Sequence, residues 1–240
     1  MPKNIRIATR KSPLALWQAR KVSELLKNID NSINIELVKI TTSGDKILDK
    51  PLYDIGGKSL FLKELEQALL DNNCDIAVHS MKDMPAELHE DLTISAILER
   101  EDSRDVLISK KYRSLSDFTN TSSIGTSSVR RICNIKYEYP NIRISDMRGN
   151  IDTRINKVLD GNMDGIILAA AGVIRLGLEK YITSYMDKKI WIPAIGQGAI
   201  GIESRKNNKI INNIVGKLNH EQTKICVDAE REVSKFFEAS

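Results

Sequence analysis

Aromatic residues make up only 5% of this 240-residue sequence, and no stretch interleaves arginine or lysine with aromatic rings. Proteins that bind single-stranded nucleic acid stack bases on such rings, so we expect no nucleic-acid partner. No run approaches the roughly 18 uncharged apolar residues that span a bilayer, and the first residues, MPKNIR, lack the apolar core of a secretory signal. The sequence therefore predicts a cytoplasmic protein without a membrane partner.

Cysteine is also rare. Cys74, Cys133 and Cys226 are odd in number and far apart, and no two of them form a C-x-x-C pair. A disulfide framework and a cysteine-ligated zinc site are thereby disfavoured, and buried, reduced thiols are predicted. The three histidines lack metal-ligand spacing, so we predict no metal; His79 ends an apolar strand and is interpreted as structural.

The remaining composition is ordinary for a globular protein, with 41% hydrophobic and 28% charged residues and a net charge of +4. Alternating apolar residues predict strands at 5–8 and 33–37, and between them Ser12 caps a helix whose first residue is Pro13. This is a βαβ unit, which begins a parallel sheet. A helix over 59–72 and a buried strand over 75–79 follow.

The same alternation restarts near Arg104, so the sequence predicts a second α/β domain. Its strands are expected at 106–109, 124–125, 142–145 and 165–170, and its helices at 127–139 and 151–159. Beyond it, 189–203 is interpreted as strands broken by glycines that return into the first domain, and 208–218 as a helix. A last helix over 221–237 either packs back on the two domains or begins a further one.

Two glycine-containing segments partly match nucleotide-binding motifs, but the residues around them do not fit such a site. The segment 196–201 fits G-x-G-x-x-G, but strand-like residues follow it where a dinucleotide fold needs a helix. A glycine-rich bend is the preferred interpretation. The sequence Gly57-Lys58-Ser59 resembles the end of a phosphate loop, but the required first glycine is Leu52. Gly56 and Gly57 belong either to a mobile loop over a cleft or to a simple turn.

Several arginines lie where the chain leaves a strand or enters a helix, which is where α/β sheets place ligands. They are Arg10, Arg130, Arg131, Arg148 and Arg154. Helix N-termini offer free N–H groups, and guanidinium adds paired donors that match carboxylates. Any one of these arginines could simply be an exposed solubilising residue, but together they predict a site for a multiply charged carboxylic acid.

One carboxylate stands among these cations. Asp83 ends the segment His79-Ser80-Met81-Lys82-Asp83, which follows a buried strand at its carboxyl end. A carboxylate in a preorganised site stabilises a transient cation, which makes Asp83 a candidate catalytic group. Spacing alone equally allows an ordinary loop pair of Lys82 with Asp83.

Six segments together resemble the hydroxymethylbilane synthase (porphobilinogen deaminase) family, and the resemblance covers nearly the whole chain. They are IATRKSPLALWQ from Ile7, GGKSLF from Gly56, AVHSMKD from Ala77, GTSSVRR from Gly125, RGN from Arg148 and PAIGQGA from Pro193. The resemblance implies an α/β fold of two domains like type 2 periplasmic binding proteins, each a mixed, mainly parallel sheet flanked by helices. We expect domain 1 at 1–98 and 199–219, domain 2 at 99–198, and 220–240 as the first helix of a third, cofactor-carrying domain.

The activity implied by the resemblance is a transferase reaction of tetrapyrrole (haem) biosynthesis. Four porphobilinogen molecules lose ammonia and join head to tail on a covalent dipyrromethane cofactor, and water releases hydroxymethylbilane. Asp83 would stabilise the pyrrole nitrogens and the azafulvene cation, and the enzyme would be a monomer. The implied binding residues are Arg10, Ser12, Ser80, Lys82, Thr126, Ser128, Arg130, Arg131, Arg148, Arg154 and Arg175; the implied mobile loop includes Gly56, Gly57, Lys58 and Phe61.

The sequence departs from the family at its end. Family members attach the cofactor to a cysteine whose place would fall just after Ser240, and none of the three cysteines stands there. We therefore expect the given residues to lack the anchor and the third domain. The rival interpretation is a truncated, inactive carboxylate-binding module with two lobes. Asp83 favours the enzyme over this module, since a passive receptor for acids gains nothing from a carboxylate among its arginines.

Overall fold

The computed structural model describes residues 4–46 and 61–236. Its strands are β1 (Asn4–Arg10), β2 (Asn34–Ile40), β3 (Ile76–Ser80), β4 (Leu92–Ile97), β5 (Asp105–Ile108), β6 (Ser123–Gly125), β7 (Arg143–Ser145), β8 (Gly165–Ala169), β9 (Ser184–Tyr185) and β10 (Ile200–Arg205). Its α-helices are α1 (Pro13–Ile29), α2 (Ser43–Lys46), α3 (Lys63–Leu70), α4 (Val129–Glu138), α5 (Ile151–Leu159), α6 (Ala170–Arg175), α7 (Lys209–Val215) and α8 (Glu221–Phe236).

The described strands form two sheets of similar design. The first has the order β2-β1-β3-β10-β4 and the second β7-β6-β8-β5-β9. In the first, β1 is parallel to β2 and β3, whereas β10 is antiparallel to β3 and β4. In the second, β6 is parallel to β7 and β8, whereas β5 is antiparallel to β8 and β9. The predicted mixed α/β fold with two sheets is thus confirmed.

Two segments connect the sheets. The outbound segment, residues 98–104, leads from β4 into β5, and the return segment, residues 186–199, leads from β9 back into β10. The predicted return of the chain into the first sheet is therefore confirmed. The two segments also bond to each other, because Glu101 N donates to Gly198 O at 3.1 Å. The domain boundaries assigned from the sequence stay a prediction.

Local sequence explains how helices cover the first sheet. Ser12 Oγ accepts a hydrogen bond from Ala15 N at 3.3 Å and Pro13 begins α1, so the N-terminus of this helix is capped as predicted. Helix α1 packs with α7 on one face of the sheet, and α3 packs on the other through Leu65 and Leu69. Full burial of each leucine contributes about 1.5–3 kcal/mol relative to exposure.

The structure differs from the predicted elements in several places. Strand β4 was missed, although Leu92, Ile94 and Ala96 alternate with Thr93 and Ser95 along it. Helix α6 was missed because its small residues pack closely: a Cβ on Gly172 would lie 2.7 Å from Ile151 Cδ1. The return segment is not strand before Ile200, since Gly196 and Gly198 adopt left-handed φ of +65° and +89° and turn the chain.

Two of the cysteines differ from the prediction of buried thiols. Cys74 is buried in the core between α3 and the first sheet, but Cys133 and Cys226 are exposed. Both lie on outward faces of helices, α4 and α8, whose other faces cover the sheets. Within the described part of the chain, none of the helices combines the length and the apolar character needed to cross a membrane.

Helix α8 packs back on the first sheet, and its assignment as the first helix of a further domain stays a prediction. Its Val227 is fully buried in a cluster with Met81 and Ile97, and Arg231 donates to the carbonyl oxygen of Ala86 at 2.9 Å. Glu230 forms an ion pair with Arg100 of the outbound segment. The helix is therefore fixed to the first sheet and to the segment that leaves it.

The close approach of the connecting segments gives a stability prediction. A Cβ on Gly198 would lie 2.4 Å from Glu101 O, and the φ of +89° is itself unfavourable for alanine. We expect Gly198→Ala to lower the free energy of unfolding by about 2–3 kcal/mol. The control is Gly161→Ala, where φ is +77° and nothing lies within 4 Å of the added atom, with an expected loss of about 1 kcal/mol. Urea unfolding measures both, and equal losses would refute the effect of the close approach.

A candidate active-site cleft between the sheets

A cavity of about 730 Å³ opens between the two sheets. Its walls include the ends of β1 and β3 from the first sheet, the start of α5 and helix α6 from the second, and part of the return segment. Among the described residues seven basic and two acidic side chains line it, so the cleft favours anions. Predicted site residues that line it are Arg10, Ser12, Ser80, Lys82, Asp83, Arg131, Arg148, Arg154 and Arg175.

Asp83 lies in a short 3₁₀ turn, Met81–Asp83, directly after β3. The turn is packed tightly, since Met81 is buried and a Cβ on either Gly196 or Gly201 would collide with it. Asp83 itself is half-buried at the cavity wall. Burial lowers the pKa of the neighbouring Lys82, and the negative charge of Asp83 partly opposes this. The sequence thus placed a rigidly supported carboxylate and ammonium correctly at the carboxyl end of β3.

Arg10 lines the cavity but already has partners. Its guanidinium forms an ion pair with Asp45 and lies 4.0 Å from the centroid of the Phe61 ring. Burial raises the pKa of Asp45, but hydrogen bonds from Arg10 and Thr42 outweigh it and lower the pKa overall. Phe61 of the predicted mobile loop therefore contacts the site, whereas the loop residues Gly56, Gly57 and Lys58 lie outside the described residues.

Arg154 and Arg175 each donate to a backbone carbonyl oxygen at the cavity. Arg154 Nε donates to Gly149 O at 2.7 Å, and Arg175 Nη2 donates to Gly198 O at 2.6 Å. Burial lowers the pKa of each to about 10, and for Arg154 the charges of Arg131 and Arg148 add to the effect. Both remain cationic at neutral pH, so their charges are available to a bound anion.

Three predicted binding residues, Thr126, Ser128 and Arg130, do not line the cavity. Thr126 is buried, and its hydroxyl oxygen accepts a hydrogen bond from Ser128 N at 3.2 Å. The Arg130 guanidinium donates to Ile192 O and to the carboxylate of Asp105, at 2.8 and 2.7 Å. Arg130 thus pairs with Asp105 outside the cavity, and the predicted contact of all three residues with a ligand stays a prediction.

Asp105 is a residue that sequence reasoning missed. It begins strand β5, its carboxylate is fully buried, and it pairs with both Arg130 and Arg131. The signal in the sequence was an acidic residue at the start of an otherwise apolar strand. A buried charge must be paired, so that pattern indicates a cationic partner elsewhere in the chain.

His79 and Glu203 form a second buried polar pair. His79 Nε2 lies 3.1 Å from Glu203 Oε2, and both side chains are almost fully buried between β3 and β10. The interpretation of His79 as a structural residue is consistent with this contact. Within residues 4–46 and 61–236, no cluster of three histidine, cysteine or acidic side chains could hold a metal ion.

The cavity leaves some buried polar atoms without a partner among the described residues. They include Arg131 Nε, a donor, and Gln197 Oε1, an acceptor, and both residues line the cavity. A ligand that carries carboxylates and N–H groups would satisfy both kinds of atom, which are costly when left unpaired. A pyrrole with acidic side chains has that composition, so the donor set fits a dipyrromethane group as well as a monopyrrole.

Comparison with known proteins gives one family and one fold. The family model described as "Porphobilinogen deaminase, dipyromethane cofactor binding domain" matches residues 5–213. A porphobilinogen deaminase of Syntrophomonas wolfei is 49% identical over 229 residues, which are 95% of this chain and 75% of that protein.

Solved structures resemble the chain at lower identity. The periplasmic VFT2 domain of Bordetella pertussis BvgS is 13% identical, with a TM-score of 0.53 over 97% of this chain and 92% of that one. The methionine-binding protein MetQ is 14% identical, with a TM-score of 0.55 over 100% and 97%. At such identity the likeness shows the fold alone, which is the predicted two-lobed architecture of periplasmic binding proteins.

Proposed function

Since this chain belongs to the porphobilinogen deaminase family, we propose that it takes part in the stepwise, head-to-tail condensation of four porphobilinogen molecules to hydroxymethylbilane, with loss of ammonia. The observation that carries the proposal is the cleft between the sheets, where seven basic side chains among the described residues line the same cavity as the carboxylate of Asp83. The individual site residues, a monomeric state and a cytoplasmic location are part of this proposal.

Substrate binding is assigned to the basic wall. Porphobilinogen carries an acetate and a propionate, so each added unit brings two carboxylates into the cleft. A charge-assisted hydrogen bond contributes about 1.5–3 kcal/mol, and several cations can therefore hold a growing polyanion. The proposed binding residues that line the cleft are Arg10, Ser12, Ser80, Lys82, Arg131, Arg148, Arg154 and Arg175.

The role assigned to Asp83 follows from the charge that develops on the substrate. When the ammonium form of porphobilinogen loses ammonia, the carbon–nitrogen bond breaks with its electron pair on nitrogen, and the pyrrole is left as a cation. At about 4 Å and an effective dielectric of about 20, a carboxylate stabilises such a cation by about 4 kcal/mol. A carbon–carbon bond then forms to the next pyrrole, whose α-carbon loses a proton, and we assign the acceptance of that proton to Asp83.

The dipyrromethane group, when bound, supplies the pyrrole α-carbon to which the first substrate is joined. This chain's own contribution is to hold that group by its carboxylates, with Arg131 and Gln197, each of which has one polar atom without a partner among the described residues, in the wall of the cleft. Phe61, stacked on the guanidinium of Arg10, lines the same cleft, and we assign to it the exclusion of water from that side.

The proposed function is tested with the complete holoenzyme. Incubation with porphobilinogen should release four ammonia molecules for each hydroxymethylbilane formed, measured by an ammonia assay and by the absorbance of the cyclised product after oxidation. Binding of porphobilinogen without any ammonia release would instead favour the rival function, a carboxylate-binding module. A cleft that neither binds nor converts porphobilinogen would overturn both.

A further inference from the structure

The carboxylate of Asp105 collects four side-chain hydrogen bonds behind the cleft. Arg130 Nη2 and Trp191 Nε1 donate to Oδ2 at 2.7 and 2.8 Å, and Arg131 Nη2 and Gln197 Nε2 donate to Oδ1 at 2.7 and 2.9 Å. The carboxylate is fully buried. Two of its four donors, Arg131 and Gln197, line the cleft, so Asp105 touches the cleft wall from behind.

The charges in this cluster do not cancel. Two guanidinium groups pair with a single buried carboxylate, which leaves one excess positive charge among the described side chains of this cluster. Burial raises the pKa of Asp105, but the nearby Arg131 and Arg130 overcome this and hold it well below its usual range. Burial also lowers the pKa of Arg130. An anion bound at the cleft wall would supply the negative charge that the cluster lacks.

The orientation of Arg131 is fixed by two of its nitrogens. Nη2 donates to Asp105, and Nη1 donates to the carbonyl oxygen of Ile167 at 2.8 Å. Its Nε is buried and without a partner among the described residues. A planar guanidinium held at two points cannot rotate, so the position of the remaining donor is set before any ligand arrives.

The orientation of Gln197 is fixed in the same way. Its Nε2 donates to Asp105 and to the carbonyl oxygen of Ser103 at 2.7 Å, and both partners are acceptors. The amide nitrogen must therefore face them, which determines which end of the amide is the oxygen. Oε1 is left buried and unpaired within the described part of the chain. Asp105 thus fixes the orientation of two side chains of the cleft wall, one with an unpaired donor and one with an unpaired acceptor among the described residues.

We propose that Asp105 is a positioning residue that holds Arg131 as a carboxylate donor and Gln197 as an acceptor for a substrate N–H group. The ligand class that fits this pair is a pyrrole with acidic side chains, so the inference rests on the proposed function and deepens it. Asp105 acts through its two neighbours and does not itself touch the ligand. Its loss should therefore weaken binding of the substrate more than it slows the chemical step.

The test is Asp105→Asn in the complete holoenzyme, with porphobilinogen as the probe. We expect KM to rise about 10-fold while kcat stays within about 3-fold, because the asparagine cannot accept from all four donors. The matched control is Asp102→Asn. Asp102 pairs with Arg104 in the outbound segment, close in sequence but outside the cleft lining, and its KM should equal that of the wild type.

A double-mutant cycle separates positioning from general damage. In an Arg131→Gln background, Asp105→Asn should raise KM by less than about 2-fold, since its effect passes through Arg131. In an Arg10→Gln background the full effect should remain, because Arg10 pairs with Asp45 on the first sheet. Equal effects in the two backgrounds, or an unchanged KM for Asp105→Asn alone, would overturn the inference.

A further variant covers the case in which Asp105→Asn fails to fold, as can happen when a buried ion pair loses one partner. Trp191→Phe removes one donor and leaves Asp105 charged. A rise in KM of about 2- to 5-fold that disappears in the Arg131→Gln background supports the inference, and an unchanged KM contradicts it. Failure of the proposed function is distinguishable, because then the wild-type holoenzyme itself shows no turnover.

Discussion

Replacing Asp83 with asparagine is expected to lower kcat by about 10²- to 10³-fold, since loss of one preorganised electrostatic group at a reacting centre has that effect in other enzymes. Asparagine has the same size and keeps the packing of the Met81–Asp83 turn. KM should change less than about 5-fold, because the basic side chains that bind the substrate's acids are untouched. Steady-state kinetics with porphobilinogen measure both constants.

The control for this substitution is Asp91→Asn. Asp91 lies in the same connection between β3 and β4, but its side chain is 71% exposed and does not line the cleft. Both variants should unfold within about 2 °C of the wild type, since neither creates a cavity nor breaks a buried pair. A kcat for Asp83→Asn within about 3-fold of the control would eliminate Asp83 as the catalytic group.

The substitution Asp83→Glu distinguishes charge from placement. A glutamate at this position would keep the negative charge, and its longer side chain would shift that charge by about one bond length. If charge alone matters, the variant should recover most of the activity. If the rigid turn sets the geometry, as the packing of Gly196 and Gly201 on Met81 indicates, the loss should stay above about 10-fold. The second result is the one we expect.

Sequence reasoning located the cleft because its rules are local. A polar residue after a buried strand, or an arginine at the start of a helix, lies at the edge of an α/β sheet where ligands bind. Asp83, Lys82 and Arg154 all satisfy that rule and all line the cavity. The capped start of α1 at Ser12 is equally local, because the cap bonds a backbone N–H only three residues away.

What the sequence did not predict depends on distant partners. Arg130 and Arg131 were grouped together, but consecutive residues of a helix point about 100° apart, so only tertiary contacts decide which faces the cleft. Asp105 meets Trp191, which lies 86 residues further along the chain. No local pattern encodes such a pairing, and the same holds for Arg10 with Asp45.

The missed elements have a related cause. Helix α6 follows β8 without any intervening turn residue, and its first three residues, Ala170 to Gly172, are compatible with either conformation. The close contact of Gly172 with Ile151 exists only once the second sheet has formed. The local composition of this segment is therefore compatible with a strand or a helix, and packing between elements determines that it is the helix α6.

Replacing Arg154 with glutamine is expected to raise KM for porphobilinogen by about 10- to 100-fold and at the same time to stabilise the protein without ligand. Arg154 donates to the carbonyl oxygen of Gly149, and its pKa is lowered to about 10 by burial and by the charges of Arg131 and Arg148. A lowered pKa means that the fold disfavours the charged form, and this cost is present below about pH 10, including neutral pH. Removing the cation should therefore increase the free energy of unfolding by about 1 kcal/mol.

Arg6→Gln is the matched control, and its expected effect on stability has the opposite sign. Arg6 pairs with Asp75 at 3.0 Å, outside the cleft, and its pKa is raised, first by its hydrogen bond to that carboxylate. Its loss should lower stability by up to about 1 kcal/mol and leave KM unchanged. Thermal unfolding with and without porphobilinogen separates the two cases, because bound substrate should stabilise Arg6→Gln as much as the wild type and Arg154→Gln much less. If Arg154→Gln instead weakens the fold and keeps the wild-type KM, Arg154 supports the start of α5, and the cluster of cations around it is not the acid-binding wall.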